Sequence, residues 1–334
     1  MHTDLLETGT PALLQLAAAA AVRLLRAGEP VALPTETVYG LAADALRPLA
    51  VAKIFEAKER PFFDPLICHL PDLGWLDRFT RIPTESRPLV ERLIERYWPG
   101  PLTLILPRRD CVPDLVTSGL ETVAVRMSVH PVFRAVAALF GGPLAAPSAN
   151  RFGRISPTAA SHVLTELGGR IPLIVDGGPT AHGLESTIVS IEGEALRIFR
   201  NGPVTREELG ALAEVLETPR SGAPQAPGQL ASHYAPATRV LLLEKAGLRG
   251  APLGGAQRVG LLAWSQRPET DEYAAFEILS PSSDLREAAA TLFAKLRRLD
   301  EAGLDLIACE PVPEHGLGAA IMDRLRKAAG RGGE

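Results

Sequence analysis

The stretch PLAAPSANRFGRISPTAASHV, residues 143–163, passes from an apolar run through small polar residues into a segment with helical periodicity. The apolar part predicts a strand over 143–149, and the final part predicts a helix over 157–168. Ser156 is a favoured N-cap residue and Pro157 suits the first helical position, so the helix is expected to begin there. A strand, a loop and a helix in succession indicate a layered α/β protein.

The loop between this strand and this helix contains Ser148 and Asn150. Ligands of open α/β sheets bind where strands end, and free N–H groups at a helix N-terminus attract phosphate. The loop is therefore a candidate phosphate site. The alternative is an ordinary loop before a capped helix, because most helix caps bind nothing.

The same alternation extends on both sides of this stretch and predicts one α/β domain. Strands are predicted at 31–34, 101–107, 122–127, 143–149, 172–178, 186–193 and 195–202, the last two as a hairpin. Helices are predicted at 48–57, 86–97, 131–140, 157–168 and 205–216.

The chain has 334 residues, which is enough for two domains, and its pattern changes after residue 216. Residues 217–238 are rich in Pro, Gly and Ser and predict a linker. Strand patterns then return at 239–244, 258–264, 274–279 and 304–310, with helices at 284–303 and about 317–329. Asp284 is expected to cap the first of these helices, with Glu287 completing a capping box.

These patterns predict two domains of different size. The larger, over 10–216, is a twisted open mixed sheet with helices. The smaller, over 239–334, is a Rossmann-like parallel α/β domain, and the linker over 217–238 joins them. The smaller domain has no GxGxxG loop, so we do not expect it to bind a dinucleotide.

Composition narrows the class of protein. The net charge is −4 and aromatic residues make up 5%, which argues against a broad nucleic-acid surface. Cys68, Cys111 and Cys309 are too dispersed for a metal cage and are expected to be reduced thiols. The Ala/Leu-rich stretch before Gly28 lacks a basic leader and reads as an amphipathic helix. We therefore expect a cytoplasmic protein without a membrane span.

Two further clusters suggest binding of small anions. In AKERPFFDPLICHL, residues 57–70, Lys58 and Arg60 are expected to reach the same side of an extended segment. Such a pair beside a loop of small residues favours an anion site, and a solvated charge cluster is the alternative. His69 lies in a run that predicts a strand.

Arg126 lies inside the apolar strand of ETVAVRMSVHP, where a guanidinium is costly unless it is paired. It has either a buried carboxylate partner or a ligand carboxylate to bind. In LPTETVYGLAADA, residues 33–45, Thr35 and Thr37 could bind an amino acid or a sugar, or cap a helix. His69 has no evident Ser or Cys partner, so the site is expected to position anionic substrates and stabilise charge without a covalent nucleophile.

These segments, together with WPGPLTLIL, DGGPTAHGLESTIV and RNGP, resemble the YrdC-like threonylcarbamoyl-adenylate synthases in order and spacing over about 30–203. The HYAP segment and the C-terminal region resemble the long, two-domain form. The resemblance implies a reaction in which L-threonine, bicarbonate or CO2 and ATP give threonylcarbamoyl-adenylate and pyrophosphate. A separate transferase would then use the product to modify adenosine in tRNA.

The resemblance also implies site residues. Those expected to hold threonine are Thr37, His69, Arg126, Ser186 and the backbone of Ala146. Those expected to hold ATP are Lys58, Arg60, Asp64, Thr122, Ser148, Asn150, Ser156, Arg200 and Tyr234. Lys58 and Arg60 would act catalytically by offsetting charge on the triphosphate, with Mg2+ bound to ATP and no metal bound by the protein itself.

The chain departs from the family pattern at a few positions. Asp64 stands where Asn is usual, and a carboxylate there would repel phosphate unless it meets a metal or pairs with Arg60 or Lys58. In the linker, Leu230 and Ser232 replace a Lys and an Arg. Whether tRNA binds directly is left open, and a monomer is the preferred oligomeric state.

Two other functions are compatible with a YrdC-like domain. One is an RNA-binding module that uses a basic face of the sheet. The other is a carbamoyl transferase of hydrogenase maturation, whose zinc-finger cysteine pairs and acylphosphatase segment have no counterpart in this sequence.

Overall fold

The computed structural model describes residues 2–217, 228, 233–245, 255–268 and 273–330. The chain forms two compact units, and each is described by itself. The first comprises Met1–Phe152, Pro157–Ala181 and Glu185–Gln229; the second comprises Gly153–Ser156, His182–Leu184 and Leu230–Glu334. Most of the predicted linker lies outside the described residues.

The first unit contains an eleven-stranded mixed sheet. Its strands are β1 (Asp4–Glu7), β2 (Val31–Leu33), β3 (Gly40–Asp44), β4 (Ile67–His69), β5 (Leu102–Pro107), β6 (Thr122–Arg126), β7 (Leu144–Ala145), β8 (Leu173–Asp176), β9 (Thr187–Glu192), β10 (Ala195–Arg200) and β11 (Val215–Leu216). They lie in the order β1-β8-β2-β3-β7-β4-β6-β5-β9-β10-β11. Pairs such as β4 with β6 are parallel, and pairs such as β5 with β6 are antiparallel.

Helices cover this sheet. They are α1 (Pro11–Arg26), α2 (Pro48–Lys58), α3 (Leu76–Phe79), α4 (Arg87–Tyr97), α5 (Asp114–Thr117), α6 (Pro131–Phe140), α7 (Ala160–Leu167) and α8 (Arg206–Gly210). The helix α1 begins at a Thr10 cap, whose hydroxyl accepts from the Leu13 N–H at 3.2 Å. It ends before Gly28, which has a φ of 81°. Residues with a side chain rarely adopt this conformation, so glycine is favoured there. The mixed α/β class predicted from the sequence is confirmed.

Over strands β4, β6, β5 and β9 the sheet has one apolar face and one mixed face, because side chains alternate along a strand. In β6, Val123 and Val125 join the main hydrophobic core. Ala124 faces the other way and packs with Ile105 and Ile188 in a small separate cluster. By the same alternation, Thr122 and Arg126 share the face of Ala124, and this mixed face carries the polar residues considered below.

The second unit contains a parallel sheet, as the sequence predicted. Its strands are β12 (Arg239–Leu242), β13 (Val259–Ala263), β14 (Ala275–Ile278) and β15 (Leu306–Cys309), in the order β12-β15-β13-β14. Its described helices are α9 (Leu285–Asp300) and α10 (Leu317–Ala329). Every residue of β13 is buried, which explains its uninterrupted apolar sequence.

Several sequence predictions of local structure are wrong. The helix predicted from 157 begins at Ala160, so Ser156 is not its N-cap and does not lie at a helix N-terminus. The helix predicted over 205–216 stops at Gly210, because the chain returns to pair as β11 with β10. The strand predicted over 143–149 is only the two residues of β7.

Two capping and conformational predictions also fail. Asp284 caps α9, but the Glu287 carboxylate accepts from the hydroxyls of Ser280 and Ser282 in place of a capping box. Lys58 is the last residue of α2, and Glu59 has a left-handed φ of 54°, so Lys58 and Arg60 do not lie on an extended segment. The sequence analysis also missed β1 and β3.

Candidate active site

Several predicted site residues lie on the mixed face of the sheet in the first unit. Arg126 ends β6 and is the Cα partner of His69, which ends the parallel strand β4. The strand β5 runs antiparallel to β6, and β9 runs parallel to β5. This pairing places Ser186, which precedes β9, at the same edge of the sheet as Arg126 and His69.

Arg126 is the centre of a buried polar group that we call the Arg126 cluster, formed by Glu36, Thr37, His69, Arg126 and Ser128. Its Nη1 donates to Thr37 Oγ1 at 3.1 Å, and its Nη2 donates to Glu36 Oε1. The hydroxyl of Ser128 donates to the other oxygen of Glu36. The buried carboxylate partner that Arg126 requires is therefore Glu36, one of the two alternatives left open by the sequence.

Two polar atoms of the Arg126 cluster are buried without a hydrogen-bond partner among the described residues. They are Nε of Arg126 and Nδ1 of His69. Burial, and then the nearby Arg126 cation, hold the pKa of His69 well below its ordinary value, so the ring is neutral. An unpaired N–H donor beside an unpaired ring nitrogen suits a small ligand that carries a carboxylate and a second polar group.

The pKa of Glu36 is lowered although burial by itself would raise it. The Arg126 cation and the hydrogen bond from Ser128 outweigh the effect of burial. Glu36 is therefore ionised at neutral pH, and its charge balances that of Arg126.

A second group, the Lys58 cluster, consists of the buried residues Lys58, Arg60, Asp64 and Asn150 and the partly buried Ser148. The ammonium of Lys58 donates to the backbone carbonyls of Ser148 and, at 2.5 Å, of Asn150. In the same cluster, Arg60 Nη2 lies 2.9 Å from Asp64 Oδ2. Arg60 also donates to the backbone carbonyl of Asp64 at 3.1 Å.

Burial sets the protonation tendencies of the Lys58 cluster. It lowers the pKa of Lys58 well below its ordinary value, and the Arg60 cation lowers it further, against the opposing effects of Asp64 and Glu166. It raises the pKa of Asp64, although Arg60, Lys58 and Arg200 oppose the rise. Among the five residues of the cluster two side chains are basic and one is acidic, which is the composition expected of a site for a polyanion.

Ser186 and Arg200 connect the residues predicted for the two substrates. Arg200 Nε donates to the Ser186 carbonyl at 3.0 Å, and Nη2 donates to its hydroxyl at 3.0 Å. The Ser186 hydroxyl is also 2.7 Å from the hydroxyl of Thr103. Arg200 was predicted to hold ATP and Ser186 threonine, and the first unit brings them into direct contact.

The remaining predicted residues have separate settings. The N–H of Ala146 donates to the Ile67 carbonyl at 2.9 Å, and Thr122 begins β6 on the mixed face. Ser156 and Tyr234 belong to the second unit, where both are buried. The Tyr234 ring there stacks on Phe293, with centroids 5.7 Å apart.

Sequence reasoning did not select Glu36, Ser128 or Thr103. Glu36 directly precedes the predicted Thr37, and Ser128 follows Arg126 by two residues. The signal available was the cost of a buried Arg126, which required a carboxylate. Which carboxylate it was depended on how the loop after β2 meets the end of β6.

The fold and these clusters define a protein of the Sua5, YciO and YrdC class. The model of that family, described as "Telomere recombination", matches residues 23–202, and a second described as "Threonylcarbamoyl-AMP synthase, C-terminal domain" matches residues 204–330. The chain therefore belongs to the threonylcarbamoyl-AMP synthase family, in its long form with both domains.

Individual relatives agree with this assignment. The threonylcarbamoyl-AMP synthase of Bacillus subtilis is 41% identical, over 98% of this chain and 96% of its own. The threonylcarbamoyl-AMP synthase of Pyrococcus abyssi is 40% identical over 93% of both chains. A crystal structure of P. abyssi Sua5 complexed with L-threonine superposes with a TM-score of 0.87 at 36% identity, covering 99% of this chain and 98% of that one.

Proposed function

We propose that this chain is an ATP-dependent L-threonylcarbamoyladenylate synthase. It joins L-threonine, bicarbonate or CO2 and ATP to give threonylcarbamoyl-AMP and pyrophosphate. The observation that carries this proposal is the Arg126 cluster, where Nε of Arg126 and Nδ1 of His69 are buried without partners among the described residues. Such a site binds an amino-acid carboxylate at the end of the sheet. Membership of the synthase family supports the same substrate.

The chemistry needs no nucleophile from the protein. The neutral amine of threonine adds to CO2, losing a proton to form a carbamate. A carbamate oxygen then attacks the α-phosphorus of ATP in line, and the bond to the β-phosphate oxygen breaks to release pyrophosphate. The Lys58 and Arg126 clusters hold the two substrates in position, and surplus positive charge stabilises the transition state.

Within the first unit, the proposal assigns the predicted residues to the same substrates as the sequence analysis. Threonine is held by Thr37, His69, Arg126, Ala146 and Ser186, and ATP by Lys58, Arg60, Asp64, Thr122, Ser148, Asn150 and Arg200. For Ser156 and Tyr234, which belong to the second unit, a role in ATP binding stays an expectation from the family resemblance. The hydrogen bonds of Lys58 to two backbone carbonyls support a role in shaping the loop that carries Ser148 and Asn150.

Mg2+ is proposed to enter as part of the substrate. In this proposal the metal is held by the oxygens of ATP, where it would offset phosphate charge. Among the described residues no group of three or more His, Cys, Asp or Glu side chains could hold a metal ion.

The product is an activated mixed anhydride, so a second enzyme must consume it. We propose that this second enzyme is a threonylcarbamoyl transferase, a separate protein that transfers the threonylcarbamoyl group to an adenosine of tRNA.

No described helix has the length and apolar composition needed to cross a bilayer. A cytoplasmic location remains a proposal, in keeping with a tRNA target.

Pyrophosphate release from ATP tests the proposal, with threonine and bicarbonate each added or withheld. We expect release only when both are present, and threonylcarbamoyl-AMP as the co-product by mass spectrometry. Release without threonine would indicate an ATPase or another acceptor. No release in any mixture would contradict the proposal and favour the RNA-binding interpretation.

A further inference from the structure

Glu36 occupies an unusual position for a carboxylate. It lies in the loop after β2, and it is 4% exposed. Both of its carboxylate oxygens accept hydrogen bonds, one from Nη2 of Arg126 at the end of β6 and the other from the hydroxyl of Ser128 just after β6. A carboxylate is rarely buried unless it is paired. The burial of Glu36 therefore requires Arg126, just as the burial of Arg126 requires Glu36.

The two consecutive residues Glu36 and Thr37 hold both terminal nitrogens of the same guanidinium. Nη2 donates to Glu36, and Nη1 donates to Thr37 at 3.1 Å. A guanidinium is planar and rigid, so fixing two of its nitrogens fixes the third. The third is Nε, the buried donor without a partner among the described residues.

Ser128 extends this arrangement to the backbone after β6. Its hydroxyl donates to Glu36 and accepts from the His130 N–H at 3.2 Å. The hydroxyl of Ser128 is thus held by the backbone while it holds the Glu36 carboxylate. Glu36 therefore has little freedom to move away from Arg126. In addition, its charge compensates the guanidinium before any substrate arrives.

We infer that Glu36 is a positioning residue for the amino-acid substrate, which holds Arg126 so that its Nε–H meets the substrate carboxylate. This inference rests on the proposed function of the Arg126 cluster. Glu36 does not contact the substrate in this account. It acts through Arg126, so its loss affects amino-acid binding and leaves ATP binding nearly unchanged.

The variant Glu36→Gln tests this inference, because it keeps the shape and one carbonyl acceptor but removes the charge. We expect the KM for threonine in pyrophosphate release to rise about ten-fold or more, because Arg126 loses its charge-assisted restraint. The KM for ATP should change less than about two-fold. Glu36→Asp, which restores the charge on a shorter side chain, should recover part of the threonine affinity.

Glu29→Gln is the matched control. Glu29 forms a partly buried ion pair with Lys53 in the same unit, at 2.6 Å, and belongs to neither cluster. It should leave both KM values unchanged. Threonine-dependent thermal stabilisation, measured without ATP, gives a second readout that requires no turnover.

The outcomes separate the inference from the proposed function. A threonine KM within about two-fold of wild type in Glu36→Gln, or an equal rise in both KM values, would overturn the inference while leaving the synthase activity intact. If Glu36→Gln does not fold, Ser128→Ala serves instead and should raise only the threonine KM, by a smaller factor. Equal or absent effects there would also overturn it. If the wild-type protein shows no threonine-dependent release of pyrophosphate, the proposed function itself is contradicted.

Discussion

The Arg126 cluster and the Lys58 cluster differ in how their buried charged side chains are compensated. Arg126 has one carboxylate partner, Glu36, so the cluster is balanced before any ligand binds. In the Lys58 cluster, the two basic residues Lys58 and Arg60 lie with a single acidic residue, Asp64, which pairs with Arg60. Burial lowers the pKa of Lys58 and raises that of Asp64. A balanced site suits a ligand with one carboxylate, whereas an excess of basic side chains suits a triphosphate.

The largest effect should come from breaking the Arg126 cluster at its centre. Arg126→Ala removes the only cation of the cluster and should raise the threonine KM by an amount equivalent to about 2–4 kcal/mol. The measurement is pyrophosphate release as a function of threonine concentration, with the ATP KM as the internal control.

This substitution also leaves Glu36 buried without its partner, so the protein itself is destabilised. The double variant Arg126→Ala/Glu36→Gln removes the unpaired charge and should recover stability without recovering threonine affinity. If the threonine KM of a folded Arg126→Ala variant equals that of wild type, Arg126 does not anchor the substrate.

A substitution in the Lys58 cluster should raise the KM for ATP and not the KM for threonine. Lys58→Met keeps most of the length of the side chain but removes both hydrogen bonds to the loop carbonyls of Ser148 and Asn150. Each hydrogen bond from a charged group contributes roughly 1.5–3 kcal/mol, so the ATP KM should rise on the order of ten- to a hundred-fold. Lys53→Met, at a half-exposed ion pair, is the control. A selective rise in the threonine KM would show that the two clusters are not assigned to separate substrates.

The balanced cluster also predicts a dependence of stability on pH. The folded protein holds the pKa of His69 well below its ordinary value, chiefly through burial, so the folded state resists protonation while the unfolded state does not. The free energy of unfolding should therefore fall as the pH drops below about 6.5, by up to about 1.4 kcal/mol per pH unit for this group.

His130 contributes in the same direction, because burial lowers its pKa as well. Urea unfolding at a series of pH values measures the slope, and His69→Gln should reduce it between about pH 6.5 and 5. An unchanged slope in His69→Gln would assign the acid sensitivity to other groups.

The two clusters were not equally predictable from the sequence. Strand periodicity located β4, β6 and β9, and the cost of a charge inside an apolar strand singled out Arg126. The partner Glu36 depended on a tertiary contact between a loop and a distant strand, which no local pattern encodes. Ser156 was assigned to a helix terminus because Ser-Pro is a strong local signal for a helix start. The helix begins only at Ala160. The carbonyl of Pro157 instead accepts a hydrogen bond from the N–H of Tyr39, a residue distant in sequence, at 2.9 Å.

The smallest expected effect tests the surplus of positive charge in the Lys58 cluster directly. Asp64 stands where the family usually has Asn, and it pairs with Arg60, the arrangement that the sequence analysis named as one way to relieve phosphate repulsion. Asp64→Asn removes one negative charge and keeps the backbone carbonyls of Asp64 and Pro65 that accept from Arg60. At separations of several ångströms, removal of that repulsion corresponds to about 0.5–1 kcal/mol, so the ATP KM should fall roughly two- to five-fold. The threonine KM should stay constant, because Glu36 and not Asp64 balances Arg126. A rise in the ATP KM would instead mean that the carboxylate is needed to orient Arg60, and that orientation outweighs net charge in this cluster.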